Sequence, residues 1–194
     1  MAFHNGARRP FESGITKDQL FFWIDGHDPV GYPGSGTTMF DLAGSRDMTI
    51  SGATLQTTAI NSFFDFDGVS NQMSVASTDF RFSTSFSCEM WFNIDTFDQQ
   101  WMRLFDFWNA TNKSGYAITR YSNTSKIEWR LETIDITGDG TFLTPDISTG
   151  VWYHFVGCYN SDNNTAQLYL NGSEEDSGST SGTLNNYTET ALVI

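Results

Sequence analysis

The sequence predicts an all-β fold, a single antiparallel sandwich of two sheets, and three observations carry that expectation. Residues 151–172, VWYHFVGCYNSDNNTAQLYLNG, read as a hairpin with an aromatic, β-branched arm over 151–159 and an alternating apolar and polar arm over 166–170. Between the arms lie Asn160, Ser161, Asp162, Asn163 and Asn164, whose side chains bond their own backbone and tolerate left-handed conformations. Short strand candidates alternate with turn signals along the rest of the chain, the spacing of a sandwich or barrel. No stretch carries a capped helical stripe at i, i+3, i+4, i+7, so helix is minor.

In chain order, residues 1–16 are polar and aperiodic and hold both Gly and Pro, which marks an arm; the domain proper is expected over 17–194. QLFFWI at 19–24 is a continuous apolar run, read as a strand buried on both faces. Residues 25–38, DGHDPVGYPGSGTT, are dense in Gly, Pro and Asp and form a surface loop. Strand candidates follow at 48–50, 53–56, 62–66, 72–75, 86–94, 102–108, 116–121 and 126–132. The last alternates most cleanly: Ile127, Trp129 and Leu131 face a core, and Lys126, Glu128, Arg130 and Glu132 face solvent. Residues 133–150 read as a long loop around Phe142-Leu143, 174–182 as a Ser/Gly/Glu loop, and 191–194 as an apolar strand. Asn171-Gly172 supplies a tight reversal, because both residues accept positive φ.

Composition narrows the function. At 194 residues, 39% hydrophobic, with 17 Phe, 7 Tyr, 6 Trp and only 4 Pro, the chain suits one domain with an aromatic core. A net charge of −13 sets a field that repels polyphosphate and anionic headgroups, so nucleic acid is excluded as a partner. No apolar run approaches the ~20 residues of a membrane helix, and no secretory signal is visible behind Arg8 and Arg9. Cys88 and Cys158 each fall inside a strand candidate and read as two free thiols, with a disulfide left open if those strands are neighbours.

WYHFVGCYN…AQLYLNGS resembles the Trp-His-x-(apolar)-Ala-x-Tyr … Leu-Tyr-(apolar)-Asn-Gly signature of laminin-G-like, concanavalin A-type jelly-roll domains. FFDFDGVSNQMSV at 63–75 is similar to the Phe-Asp-Gly piece of that family, and FSCEMWFNID at 86–95 to its strand ending in a Trp. The resemblance implies a two-sheet antiparallel jelly-roll sandwich. It also implies a closing strand with an Asp-Glu element beyond residue 194, which is missing here. An unpaired edge is therefore expected at 191–194, covered by the N-terminal segment or a partner chain, and a homo-oligomer with it.

A narrower resemblance covers the opening, where LFFWIDGHDPVGYPGSGTTMFDLAG is similar to laminin-G-like structural proteins of marine cyanophages. The matching residues are 32–38 and Asp41-Leu42-Ala43-Gly44. It implies a non-enzymatic virion protein, a capsid decoration, head-fibre or tail-fibre component. Such a protein docks to other virion proteins through its arm, is assembled in the host cytoplasm and displays the sandwich on the virion surface. The alternative is a free, extracellular carbohydrate-binding lectin module, and a glycoside hydrolase stands third.

The residues themselves point to binding. Jelly-roll hydrolases resemble one another through a Glu-x-Asp-x-x-Glu run, which is absent. Glu128 and Glu132 lie about 13 Å apart along a strand at ~3.3 Å per residue, beyond the ~5 to ~9.5 Å that glycoside hydrolysis uses. Asp65 and Asp67 share a face but sit at an Asp-Gly turn. Candidate glycan or partner contacts are Phe97, Trp101, Trp108, Tyr116 and Tyr121, rings near strand ends where a sugar could stack. Calcium is a candidate cofactor, since laminin-G-like and pentraxin-like domains often hold it at a loop rim, with Asp135, Asp139 and Asp146, or Asp65, Asp67 and Asn71, as candidate ligands. His4, His27 and His154 are scattered; His154 reads as a packed, hydrogen-bonded residue.

Overall fold

The computed structural model describes residues 19–58, 61–109, 114–132, 140–180, 184 and 189–194. With strands numbered in chain order, one eight-stranded sheet runs β1 (Thr38–Met39), β2 (Met48–Ser51), β5 (Gln72–Ala76), β14 (Ala191–Val193), β7 (Arg103–Asn109), β8 (Ser114–Arg120), β9 (Ile127–Glu132) and β10 (Gly140–Leu143). The facing sheet runs β13 (Ser173–Ser179), β12 (Thr165–Leu170), β11 (Trp152–Asn160) and β6 (Phe86–Asn93), and β3 (Thr54–Thr57) pairs with β4 (Ser62–Asp65) as a separate hairpin. Each pairing is antiparallel. Among the described residues no helix is long and apolar enough to cross a membrane.

Period-two alternation builds the core. From the large sheet Phe107, Tyr116, Ile118, Ile127, Trp129 and Leu131 point inward, and from the small sheet Phe155, Tyr159, Ala166 and Leu168; all are buried. Rings bridge the sheets, with Phe86 centred 4.8 Å from Tyr116, 6.0 Å from Trp129 and 5.9 Å from Tyr159. A fully buried Phe, Leu or Ile side chain among them contributes about 1.5–3 kcal/mol. Trp129 fits because β11 carries Gly157 beneath it: a Cβ there would meet the indole at 2.6 Å.

The predicted hairpin at 151–172 is β11 and β12, paired from Phe155 with Leu170 to Asn160 with Thr165. Its loop holds Asn164 at φ 52, and the next reversal holds Asn171 at φ 52 and Gly172 at φ 84. Cys88 pairs with Gly157, one residue from Cys158, so the two cysteines occupy opposite faces of one sheet and both are free.

Four expectations are corrected. Residues 19–24 form no strand; Phe21, Phe22 and Ile24 pack against the core from a segment without regular structure, tied by the Trp23 N–H donating to Asp41 Oδ1 at 3.0 Å. Asp41, nearly buried, also accepts from Ala43 and Arg46 N–H groups at 2.9 and 3.2 Å, so the Asp41–Gly44 turn is a structural clasp. Residues expected to loop after 173 form the polar edge strand β13, where solvent on one side removes the need for apolar residues. The C-terminal strand is no edge: β14 lies between β5 and β7, with Leu192 opposite Val75 and Val193 opposite Asp106. An open edge at 191–194 therefore gives no ground for self-assembly. The polar face of β9 is not solvated either, because Glu128 and Glu132 are buried. The arm at residues 1–16 lies outside the described residues.

Candidate functional site

The site forms on the outer face of the large sheet, where three strands interlock long and short side chains. On β9 the alternation that sends Trp129 inward sends Glu128, Arg130 and Glu132 outward. Opposite them on β8 stand Thr119, Ala117 and Gly115, and beyond those on β7 stand Arg103, Asp106 and Trp108. A register irregularity between Arg103 and Phe105 brings Arg103 onto the same face. Ala117 and Gly115 form a low floor that side chains from both flanks can cross. Gly115 is fixed there at φ 120, since a Cβ would lie 1.9 Å from the Phe107 carbonyl oxygen.

Trp108 uses that floor: its Nε1 donates to Glu132 Oε2 at 2.7 Å. The Arg130 guanidinium lies over two indoles, 5.0 Å from the Trp108 ring centre and 4.8 Å from that of Trp101, and Arg103 lies 5.1 Å over Trp108 from the other flank. Arg103 also pairs with Asp106. Trp101 comes from the loop before β7, is 38% exposed and stands edge-on to Tyr121 at 5.6 Å. Its backbone is left-handed at φ 57, a conformation that costs about 1–3 kcal/mol for a bulky residue and persists only where the surroundings impose it.

Buried Arg120 supplies that constraint. It donates to the carbonyls of Phe97 at 3.0 Å, Gln99 at 2.7 Å and Thr124 at 2.7 Å, and its guanidinium lies 4.8 Å over the Phe97 ring. The result is a depression of about 270 Å³ lined by Trp101, Arg103, Trp108, Thr119 and Arg130.

Beneath it sits Glu128, fully buried. Its Oε1 accepts from Thr119 Oγ1 at 2.5 Å and from Arg130 Nε and Nη2 at 2.9 and 2.8 Å, while its Oε2 is buried without a hydrogen bond. Burial pushes the Glu128 carboxyl above the usual carboxylate range, against the opposing hydrogen bond from Thr119 and the charge of Arg130. Asp106 is raised by burial in the same way, against Arg103.

Of the five rings chosen from sequence, Trp101, Trp108 and Tyr121 come together here. Phe97 serves as the packing surface for Arg120. Tyr116 is corrected to a core residue: it is fully buried between the sheets and its hydroxyl donates to the Phe80 carbonyl at 2.9 Å, leaving no face for a ligand. Sequence reasoning missed Arg103, Thr119, Arg120 and Arg130, although Glu128, Arg130 and Glu132, alternating with Trp129 on one strand, were the available signal.

Asp67 is used locally: its Oδ1 accepts the N–H groups of Val69, Ser70 and Asn71 at 2.9 Å each, which holds its carboxyl well below the usual range. Asp135 and Asp139 lie outside the described residues, and Asp146 accepts from Ser125. Among the described residues no three His, Cys, Asp or Glu side chains cluster as a metal site, against the six to eight oxygens calcium takes. His154 packs on Trp91 at 4.9 Å and bonds Glu89 at 2.8 Å, on the outer face of the other sheet. A larger depression of about 350 Å³ over β2 and β5 has no aromatic wall, and its Arg46 is already engaged by Asp79 and the Phe21 carbonyl.

Two stacked antiparallel sheets with an aromatic depression on the broader one define the class, a lectin-type jelly roll. The chain belongs to the Concanavalin A-like lectin/glucanases superfamily, whose family model matches residues 67–194. No curated protein matches it by sequence. Among solved structures it is similar to the binding domain of botulinum neurotoxin serotype D/C VPI 5993, at 14% identity and TM-score 0.63, covering 83% of this chain and 41% of that one. It is also similar to the botulinum neurotoxin DC binding domain in complex with SialylT, at 16% identity and TM-score 0.60, covering 83% and 42%. A third is domain 4 of AbnA, an extracellular arabinanase from Geobacillus stearothermophilus in complex with arabinotriose, at 13% identity and TM-score 0.57, covering 79% and 76%. The chain thus spans about two fifths of the neurotoxin domains it matches.

Proposed function

We propose that this chain is a non-catalytic glycan-binding module whose ligand stacks in the Trp101–Trp108 depression. The observation that carries the reading is the pair of indoles, one from β7 and one from the loop before it, held around one guanidinium, with Trp101 locked in a left-handed backbone by its neighbours. Fixed rings bind a sugar without first losing freedom. Two structural relatives solved with SialylT and with arabinotriose support a saccharide ligand.

The non-enzymatic part rests on the acids. Glu128 is sealed from solvent and bonded to Arg130, Glu132 is tied to Trp108, and Asp67 closes a turn. None of the three is left as a free acid or nucleophile over the depression.

Calorimetry and Trp fluorescence against an oligosaccharide panel test this. Trp108→Ala and Trp101→Ala are expected to weaken binding roughly tenfold or more while the chain stays folded. Binding that survives both substitutions would move the site elsewhere. Turnover of any oligosaccharide that stops with Glu128→Gln would replace the reading with a hydrolase.

The setting proposed is display on a virion, with residues 1–16 as the docking arm, supported by the likeness of residues 32–38 and 41–44 to marine-phage structural proteins. Co-sedimentation with intact particles, lost when residues 1–16 are deleted, is the expected result. A protein that sediments free of particles would leave the module without that setting.

A further inference from the structure

Both charged side chains on the wall of the depression are arginines, Arg103 and Arg130. In a chain with 10 Lys plus Arg against 23 Asp plus Glu, that is a local inversion of sign. The balancing acids stand behind the wall: Glu128 is fully buried, and Asp106 is partly buried against Arg103. Burial raises the proton affinity of both, against the opposing charge of the arginine each one faces.

The guanidinium groups also have donors to spare. Arg130 spends Nε and Nη2 on one oxygen of Glu128, and Arg103 spends Nη1 on Asp106. Nη1 of Arg130 and Nε and Nη2 of Arg103 have no bond to a described residue. Arg130 is held with its side chain only 15% exposed, between Trp101 and Trp108, so its remaining N–H groups are oriented before a ligand arrives.

We infer that the depression takes an acidic saccharide, its carboxylate or sulfate docked on Arg103 and Arg130 while the sugar ring lies against Trp101 and Trp108. This rests on the glycan-binding reading and narrows its ligand class. Guanidinium forks match the planar carboxylate and the sulfate oxygens with paired, charge-assisted bonds. At −13 the whole-molecule field opposes an approaching anion, so selectivity comes from these short contacts, which salt screens less than the distant charges.

The test is an immobilised array with four arms: sialylated, uronic-acid-bearing, sulfated and uncharged oligosaccharides. The wild-type chain is expected to bind at least one acidic arm and to leave the uncharged arm empty, and the arm occupied tells carboxylate from sulfate. Arg103→Gln is expected to weaken that binding roughly tenfold and Arg103→Lys to restore part of it. Trp91→Ala, on the opposite sheet, should change nothing. Arg130→Gln leaves Glu128 buried without its cation and is liable to unfold, so the Arg103 pair decides. Equal binding to charged and uncharged arms, or no effect of Arg103→Gln, overturns the acidic preference and leaves glycan binding standing. Silence on all four arms overturns both.

Discussion

Trp108 and Glu132 are joined across the low floor of β8 by a 2.7 Å hydrogen bond from the indole Nε1 to Oε2. Glu132 is buried, so its removal leaves a donor facing protein with no partner, at a cost of about 1–3 kcal/mol. Glu132→Ala should lower urea-unfolding stability by that amount and loosen the Trp108 ring, while Glu132→Gln keeps an acceptor oxygen and most of the stability. Identical unfolding curves for Glu132→Ala and wild type would show that the bond contributes nothing.

Arg120 holds the loop that presents Trp101. One guanidinium satisfies carbonyls of Phe97, Gln99 and Thr124, a spread that the compact ammonium of lysine cannot span. Arg120→Lys should therefore cost about 1.5–3 kcal/mol, the worth of one hydrogen bond to a charged group. It should also raise amide exchange over residues 97–101 and weaken ligand binding with Trp101 itself unchanged. Exchange that stays at the wild-type rate there would mean that the loop is held by something else.

Gly157 tests the packing between the sheets. Any Cβ at this position would sit 2.6 Å from the Trp129 ring, which Phe86 and Tyr116 hem in at 6.0 Å each. Gly157→Ala should destabilise by about 1–3 kcal/mol, the usual cost of overpacking. Trp129 fluorescence should shift as the ring is displaced. A variant as stable as wild type would mean that the sheets separate freely.

What the sequence disclosed follows from which interactions are local. The 151–172 hairpin was legible because its alternation and its Asn-rich turn lie side by side in the chain. Trp101 and Trp108 were legible as aromatic residues beside loops. Tyr116 has the same local signature, yet it is core, because its direction depends on the pairing of β8 with β7 and β9. The polar half of β9 misled for the same reason: period two separates two faces but does not say that the second is covered. Arg103, Arg120 and Arg130 escaped because an arginine gains its role from partners on other strands. The placement of β14 between β5 and β7 is a contact more than 80 residues long in sequence on either side, invisible to any local pattern.

Glu128 makes the pH dependence of stability run against the usual direction for a carboxylate. Its folded proton affinity is raised above the ordinary 4.5 chiefly by burial. From pH 4.5 up to that raised value the native chain keeps a proton that the unfolded chain releases. The native state then binds more protons, and stability falls as pH rises through the window. Asp106, raised from 3.8, adds the same sign, and Asp67, lowered from 3.8, adds the opposite sign only in more acidic solution. Glu128→Gln mimics the protonated form and cannot ionise, so its stability should decline less steeply above pH 4.5, with Asp106 accounting for the remaining slope. Urea titrations at half-unit pH steps would measure this. If wild type and variant run parallel above pH 4.5, Glu128 is ionised in the native state like an exposed acid, and Arg130 outweighs the burial that the packing imposes.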